Sequence, residues 1–452
     1  MPIDSTIIDR TLSTPQGESA YKVVEVLTDA GYDTWWVGGC VRDMMMGEVP
    51  DDIDIATEAL PESVIGLFKK TDETSAKFGS VLVSLKGSVF EVTTFRQDDS
   101  ASDGRHPESV KFGKRKEDSV RRDFTVNCMY WNPISGELFD PHNGEMDLNE
   151  RLIRFIGDSE ERIEHDALRL LRAIRFRAQI DGQYHPETFE ALHKKAKNIE
   201  VLSGTRRFNE LEKMLMGPHP NRAFEDLWET DVIEHLIPEL HACKGIAQPG
   251  TMHEEGDVWD HTLDVISKFT EDHEADVRWA ALLHDIGKPK TFSIEADRIH
   301  FNEHAPVGGD MSKEVLDRLQ CTSKRRDKIA WLISHHMTMS TYGEIDDKRK
   351  AHWYFHPWFI ELLQLFWLDA AGTQPTCFDL YESIIKDYNQ FLDAHPRPKK
   401  PLLSGEEVME ILGIESGEKV GEYLEKLNKA QIGGKIKLKK EAIEYLKSIK
   451  GR

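Results

Sequence analysis

Apolar and polar positions follow two different periods along this chain, and the change falls near residue 160. Residues 19–30 place their apolar side chains at helical spacing. Short runs at 34–37, 52–56, 80–85 and 89–95 alternate or are continuously apolar and read as strands, with a helix at 61–69 between the second and third. Lys86-Gly87-Ser88 supplies a hairpin turn, and 98–107 is a polar, glycine-containing loop. From Glu161 onward the period is helical, with Leu168, Leu171 and Ile174 on one face, and helices dominate to the C-terminus. The pattern predicts an α+β head built on a mixed sheet, followed by a mostly α-helical body. Gln248-Pro249-Gly250 and His395-Pro396-Arg397-Pro398 read as linkers into and out of a further helical unit.

The length of 452 residues suits about three domains with sizeable cores. Cys40, Cys128, Cys243, Cys321 and Cys377 are scattered without CxxC spacing, so neither a zinc ribbon nor a disulfide framework is indicated. Residues 1–15 lack a basic region followed by an apolar run, and the most apolar helical stretch, 358–372, contains Glu361 and Asp369 and is too short to span a bilayer. The expectation is a cytoplasmic protein with no membrane association. A formal net charge of -22 disfavours a nucleic-acid partner at first sight. Local distribution reverses that reading: lysines and arginines concentrate between Arg105 and Arg122, and Arg169, Arg172, Arg175 and Arg177 follow one another without an intervening acid.

The densest chemistry lies in Val37-Gly38-Gly39-Cys40-Val41-Arg42-Asp43, followed by Asp52-Ile53-Asp54. A strand running into a glycine pair lets the backbone approach a polyanion, and the next helix opens with free N–H groups and Arg42 expected to face that anion. Asp52 and Asp54 alternate with isoleucines, so both carboxylates share one face of a strand. Two carboxylates beside a triphosphate cradle suit a pair of Mg2+ ions and in-line attack of a hydroxyl on phosphorus. Asp166 and Arg169, three residues apart, can project from adjacent helical turns onto one planar ligand. A carboxylate only accepts and a guanidinium only donates. Cytosine and adenine both present an exocyclic amino group beside a ring-nitrogen acceptor, so such a pair accepts C and A and rejects U and G. An intrahelical ion pair is the plainer alternative.

The first string resembles the polymerase-beta-like nucleotidyltransferases, specifically the bacterial tRNA nucleotidyltransferases (CCA-adding enzymes) and the related poly(A) polymerases. The likeness continues through Glu91-Val92-Thr93-Thr94-Phe95-Arg96, Asp103-Gly104-Arg105-His106-Pro107, Arg121-Arg122-Asp123-Phe124-Thr125-Val126-Asn127 and Asp166-Ala167-Leu168-Arg169-Leu170-Leu171-Arg172-Ala173, with a fainter match from Arg206 to Leu215. It implies Asp52 and Asp54 as catalytic, Mg2+-holding residues. It also implies a nucleotide site of Gly38, Gly39, Arg42, Arg122, Asp123, Asn127, Asp166, Arg169 and Arg172. By the resemblance, Asp123 accepts from a ribose 2′-OH and the Asp166/Arg169 pair replaces a nucleic-acid template. The implied partners are a tRNA 3′ end, CTP and ATP. One departure is His165, where the family usually has Glu immediately before the Asp of this motif; Glu164 lies one residue earlier.

Asp257-Val258-Trp259-Asp260-His261-Thr262, Ala281-Leu282-Leu283-His284-Asp285-Ile286-Gly287-Lys288 and the distant Asp369 form a second constellation. Mixed nitrogen and oxygen ligands from His261, His284, Asp285 and Asp369 suit a divalent transition metal. The pattern resembles the HD phosphohydrolases, and a subset of tRNA nucleotidyltransferases carries such a unit after the neck. His304, His335 and His336 either complete a second metal site or line the cleft. By analogy the unit acts on 2′,3′-cyclic phosphates, 2′-phosphates or damaged tRNA ends. The basic tail resembles the tRNA-binding tail of these relatives.

The expected domains are therefore a nucleotidyltransferase head at 1–150, a helical neck that reads the base and binds RNA at 151–245, an HD-type unit at 250–395 and a helical tRNA-binding tail at 400–452. The favoured function is template-independent addition of CCA, or of its terminal A, to tRNA with release of pyrophosphate. The alternatives are an A-adding enzyme, a poly(A) polymerase, an HD phosphohydrolase with a noncatalytic RNA-binding head, and a noncatalytic RNA-binding protein. The 98–107 loop argues against an enzyme confined to CC addition.

Overall fold

The computed structural model describes residues 3–97, 111–249, 256–296, 298–394, 402–414, 417–432, 435, 436 and 438–450. The 98–107 loop, Gly250 and the 395–398 linker lie outside the described residues.

Helices α1 (Ser5–Ser13) and α2 (Pro15–Asp29) open the head. Thr14 ends the first and caps the second: its hydroxyl accepts from Gly17 N at 2.9 Å, and Pro15 fills the first turn, where a missing N–H costs nothing. This cap starts α2 a turn earlier than its apolar spacing predicts. Strands β1 (Thr34–Val37), β2 (Asp54–Thr57), β3 (Thr71–Asp72), β4 (Ser80–Leu85), β5 (Ser88–Thr94), β6 (Tyr130–Trp131) and β7 (Leu138–Phe139) build a sheet in the order β3-β4-β5-β2-β1-β6-β7. Only the β2/β5 pairing is parallel, so the sheet is mixed. Helix α3 (Gly39–Met45) follows β1 directly, and α4 (Pro61–Leu67) links β2 to β3. The β4/β5 hairpin turns through Lys86 and Gly87 at φ 50° and 92°, the left-handed pair that matches the twist of adjacent strands. Trp36, Ile55 and Phe90 are fully buried with Val23, Val24 and Leu27 of α2; each such side chain contributes about 1.5–3 kcal/mol.

The body begins with α5 (Ser159–His165) and α6 (Leu168–Gln179), and continues with α7 (Gly204–Leu215) and α8 (Pro220–Glu229). Leu170, Leu171 and Ile174 of α6 are fully buried. Helix α9 (Val258–Ser267) carries His261, and α10 (Ala275–Leu283) ends directly before His284 and Asp285.

The chain forms two compact units, Met1–Ser334 with Ala371–Pro375, and His335–Ala370 with Thr376–Arg452. In the second unit, the Gly405–Leu412, Glu418–Ile432 and Lys439–Ser448 helices close around Val408, Leu412, Leu427, Ala442 and Leu446. All five cysteines are free thiols. Among the described residues no helix is long and apolar enough to cross a membrane.

Candidate active site and metal cluster

Val37, the last residue of β1, is the antiparallel partner of Asp54, the first residue of β2. The ladder therefore sets a carboxylate beside the start of the Gly38-Gly39 turn. Gly38 adopts φ 79°, ψ -129°, a conformation that a Cβ would forbid, and its N–H donates to Met129 O at 3.2 Å. Asp52 sits just before the strand rather than in it, yet the alternation holds: both aspartates are exposed, while Ile53 and Ile55 are buried.

The parallel neighbour β5 brings Glu91 to the same face. The Asp54 carboxyl reaches solvent but is crowded on its flanks. Desolvation first, then the charges of Asp52 and Glu91, push it up to about 6 against the pull of Arg122 and Arg172. Crowded carboxylate oxygens of this kind suit a hard divalent cation. Among the described residues no third His, Cys, Asp or Glu closes a three-ligand cluster with Asp52 and Asp54, which leaves the rest of a Mg2+ shell to water and phosphate oxygens.

The expectation that Arg42 faces an anion is corrected. Arg42 is only 3% exposed. It donates from Nη1 to Asn127 Oδ1 at 2.6 Å and from Nε and Nη2 to Asp43 Oδ1 at 3.0 and 2.7 Å, and its guanidinium lies 5.2 Å from the Phe176 ring centre. It therefore ties α3 to the 125–127 turn and to α6. Asn127 is buried too, and its Nδ2 has no hydrogen-bond partner among the described residues.

Arg122 is set by Asp118, an acid within the basic stretch that ends at Arg122. Asp118 is 1% exposed and accepts from Arg121 Nε at 2.9 Å, Arg122 Nε at 3.1 Å and the Tyr130 hydroxyl at 2.8 Å. Burial works to raise its carboxyl, but Arg122 and Arg121 outweigh that and hold it near about 2. Asp123 accepts from Arg172 Nε at 2.7 Å and from Phe124 N at 2.8 Å. Its carboxyl is lowered despite burial, chiefly by Arg172.

Asp166 and Arg169 do not share one helix, as their spacing had suggested. Asp166 is extended at φ -149°, ψ 104°, in the break between α5 and α6, and its Oδ1 accepts from Leu168 N at 3.1 Å. A short carboxylate competes with the helix for backbone donors and favours such caps. Arg206 of α7 donates from Nη2 to Asp166 Oδ1 and Oδ2 at 3.0 and 3.2 Å. Arg169 donates to the carbonyls of Arg162 at 3.0 Å and Arg121 at 3.2 Å. The pair thus sits on one wall, held from behind. His165 is exposed, and Glu164 bonds Lys195 at 2.5 Å instead of bracing Arg169.

In the HD region, His261, His284 and Asp285 bring ligand atoms within 4.8 Å of one another, and all three are buried. His261 Nε2 lies 3.3 Å from His284 Nε2, and His284 Nε2 lies 3.2 Å from Asp285 Oδ2. Gly287 permits this packing, since a Cβ there would stand 2.1 Å from His304 O. His304 Nε2 is 3.5 Å from Asp285 Oδ1. Burial works to raise the Asp285 carboxyl, but His284 and Lys288 hold it well below the usual range. Lys288 Nζ is 2.7 Å from Asp285 Oδ2 and donates to Gln248 Oε1 at 2.6 Å. Gln248, expected in a linker, is 7% exposed and belongs to this cluster. Asp369, His335 and His336 belong to the second compact unit. The donor set of two imidazoles and a carboxylate fits a divalent transition metal.

Three family models match in chain order: the poly A polymerase head domain over residues 34–154, the probable RNA and SrmB-binding site of polymerase A over 183–244, and the HD domain over 257–387. The chain thus carries a poly A polymerase head domain, an RNA-binding region and an HD domain in that order. A CCA-adding enzyme from Geobacillus stearothermophilus is 40% identical over 223 residues, covering 49% of this chain and 55% of that one. A CCA-adding enzyme from Streptococcus pyogenes serotype M2 is 33% identical over 277 residues, covering 61% and 66%. The chain thus spans between about half and two thirds of the length of these curated relatives. The crystal structure of a Bacillus stearothermophilus CCA-adding enzyme with CTP is similar at 26% identity and TM-score 0.64, covering 96% of this chain and 98% of that one. A Thermotoga maritima CCA-adding enzyme solved with tRNA shares the fold at 23% identity and TM-score 0.54, covering 99% and 96%.

Proposed function

We propose that this protein is a template-independent nucleotidyltransferase that adds CCA, or its terminal A, to tRNA 3′ ends from CTP and ATP. The observation that carries the reading is the Val37/Asp54 register, which sets the carboxylate face against the diglycine turn. The primer 3′-oxygen attacks the α-phosphorus, the bond to the β-phosphate oxygen breaks, and pyrophosphate leaves. Asp52 and Asp54 would hold Mg2+, which when bound supplies charge neutralisation at the attacking and leaving oxygens. Gly38, Gly39 and Arg122 face the triphosphate. Asp123, fixed by Arg172, accepts from the 2′-OH. Arg42 and Asn127 act as a brace behind the cradle.

Base choice falls to Asp166 and Arg169. A carboxylate has about four acceptor sites, so Asp166 can hold Arg206 and still accept from the amino group of C or A. Arg169 donates to the ring nitrogen. Residues 1–150, 151–245, 250–395 and 400–452 then act as head, neck, HD unit and tRNA-binding tail. The 98–107 loop remains the reason to prefer CCA or A addition over CC addition alone.

A second reading is carried by the His261/His284/Asp285 cluster: an accessory metal-dependent phosphohydrolase. Pyrophosphate release tests the main reading. Mixing the protein, Mg2+ and tRNA lacking CCA with CTP and ATP should release pyrophosphate, and UTP or GTP should release little. Equal release with all four nucleotides would overturn it.

A further inference from the structure

Beyond Arg172, α6 continues into the wall of a cavity of about 350 Å3. Arg175 lines it from α6, Lys213 and Met214 from α7, and Met216, Pro218 and His219 from the connection to α8. None of these residues takes part in the nucleotide site described above. The cavity and that site nonetheless share one helix, α6. Arg175 follows Arg172 by three residues, and both guanidiniums lie against the Phe176 ring, at 4.1 and 5.1 Å from its centre.

One buried carboxylate organises the cationic side. Glu210, 3% exposed, accepts from Arg175 Nε at 2.8 Å and from Lys213 Nζ at 3.4 Å. Two cations share a single anion, so the wall keeps a net positive charge in a chain whose total is -22. The other side is apolar: Met214 is buried at the floor, and Met216 is 47% exposed. A polarizable thioether beside open space is a good surface for the face of a planar ring. The volume lies at the lower end of small-ligand pockets, about 300–1,000 Å3, which suits a single nucleotide.

We propose that this cavity binds one nucleotide of the primer RNA, upstream of the 3′ terminus, with its base on Met214 and Met216 and its phosphate toward Lys213, Arg175 and His219. The inference rests on the tRNA substrate of the proposed function and deepens it. Stacking on side chains without a set of base-edge readers tolerates any base, as a primer site serving many tRNAs requires. The site would anchor the strand at a fixed distance from Asp52 and Asp54.

Lys213→Met and Met216→Ser change exposed side chains and leave the fold intact. Binding of tRNA lacking CCA is titrated at several salt concentrations, and KM is measured separately for tRNA and CTP. Lys213→Met should weaken tRNA binding at least about fivefold and make the log–log salt slope shallower by about 0.7, the value for one lost phosphate contact on a single strand. Met216→Ser should weaken binding with the slope unchanged. The CTP KM should stay constant in both. Unchanged tRNA affinity in both variants would overturn the proposal, as would a rise in CTP KM alone, which would assign the cavity to the incoming nucleotide. The titrations need no turnover, so a wild type that binds tRNA but adds nothing would count against the proposed function and not against the cavity.

Discussion

Asp123 and Arg172 form an ion pair across 49 residues of sequence, with Nε donating to Oδ2 at 2.7 Å. The pair joins the head to the helix that follows the break at Asp166, and it fixes the carboxylate that the proposed function assigns to the sugar. Asp123→Asn should therefore lower the preference for ribonucleotides over deoxyribonucleotides. A hydrogen bond to a charged acceptor contributes about 1.5–3 kcal/mol, so the loss should be about ten- to a hundredfold in the ratio of kcat/KM values for CTP and dCTP. An unchanged ratio with a uniformly lower rate would make the pair purely structural.

Asp54 contributes one pH-dependent step to stability. Its folded carboxyl is raised to about 6 from 3.8, so between these values the folded state holds the proton that the unfolded state has lost. Stability falls as pH rises through that window and levels off above it. Asp54→Asn should therefore raise the melting temperature of the metal-free protein at pH 7.5 and have little effect near pH 4. Mg2+ should raise the melting temperature of the wild type at pH 7.5 more than that of the variant. A lower melting temperature for the variant at pH 7.5 would contradict the assigned crowding. Glu91→Gln, removing one of the like charges, should move the acid limb of the incorporation profile below about 6.

In the proposed function, base selection falls to Asp166 and Arg169, with Asp166 held by Arg206. Arg169→Ala should lower C and A incorporation and narrow their advantage over U and G about tenfold or more. Arg206→Ala should narrow it by a smaller factor, because Asp166 keeps its cap to Leu168 N. Primer-extension ratios with single nucleotides read both effects. Restoring the family's residue in His165→Glu should leave C and A addition working, since His165 is exposed.

The two chemistries should separate. Asp285→Ala should abolish any metal-dependent phosphohydrolase activity, tested on a 2′,3′-cyclic phosphate, and retain nucleotide addition within about threefold. Asp285 is buried against His284 and Lys288, and removing it leaves the buried Lys288 side chain without its carboxylate partner. Asp285→Asn is thus the companion variant that keeps the volume. Loss of addition in a folded Asp285→Asn protein would mean that the two sites are coupled.

The head was legible where chemistry and period coincide. Ile53 and Ile55 pin one face of β2, so Asp52 and Asp54 had to share the other. Partners distant in sequence were not legible. Nothing in Val41-Arg42-Asp43 announces that Arg42 will be buried against Asn127, 85 residues later. Glu91 was visible only within a motif, because the parallel register of β2 and β5 depends on a crossover that period alone does not specify. Asp118 was not singled out by the sequence, because its partner Tyr130 lies 12 residues away on a strand. At Asp166, helical spacing missed the capping preference of aspartate, which breaks the helix just where the base would be read. Gln248 beside Pro249 has the composition of a linker, but Lys288 draws it into the HD cluster.

Sequencing of tRNA 3′ ends after incubation of a substrate lacking CCA with the protein, Mg2+ and all four nucleotides tests the central claim most directly, with Asp54→Ala as control. The account predicts ends extended to CCA, or to A on a substrate already ending in CC. The control should fall by at least about a thousandfold while still binding tRNA. Ends extended with U or G as readily as with C and A, or extension by the control at wild-type levels, would contradict it.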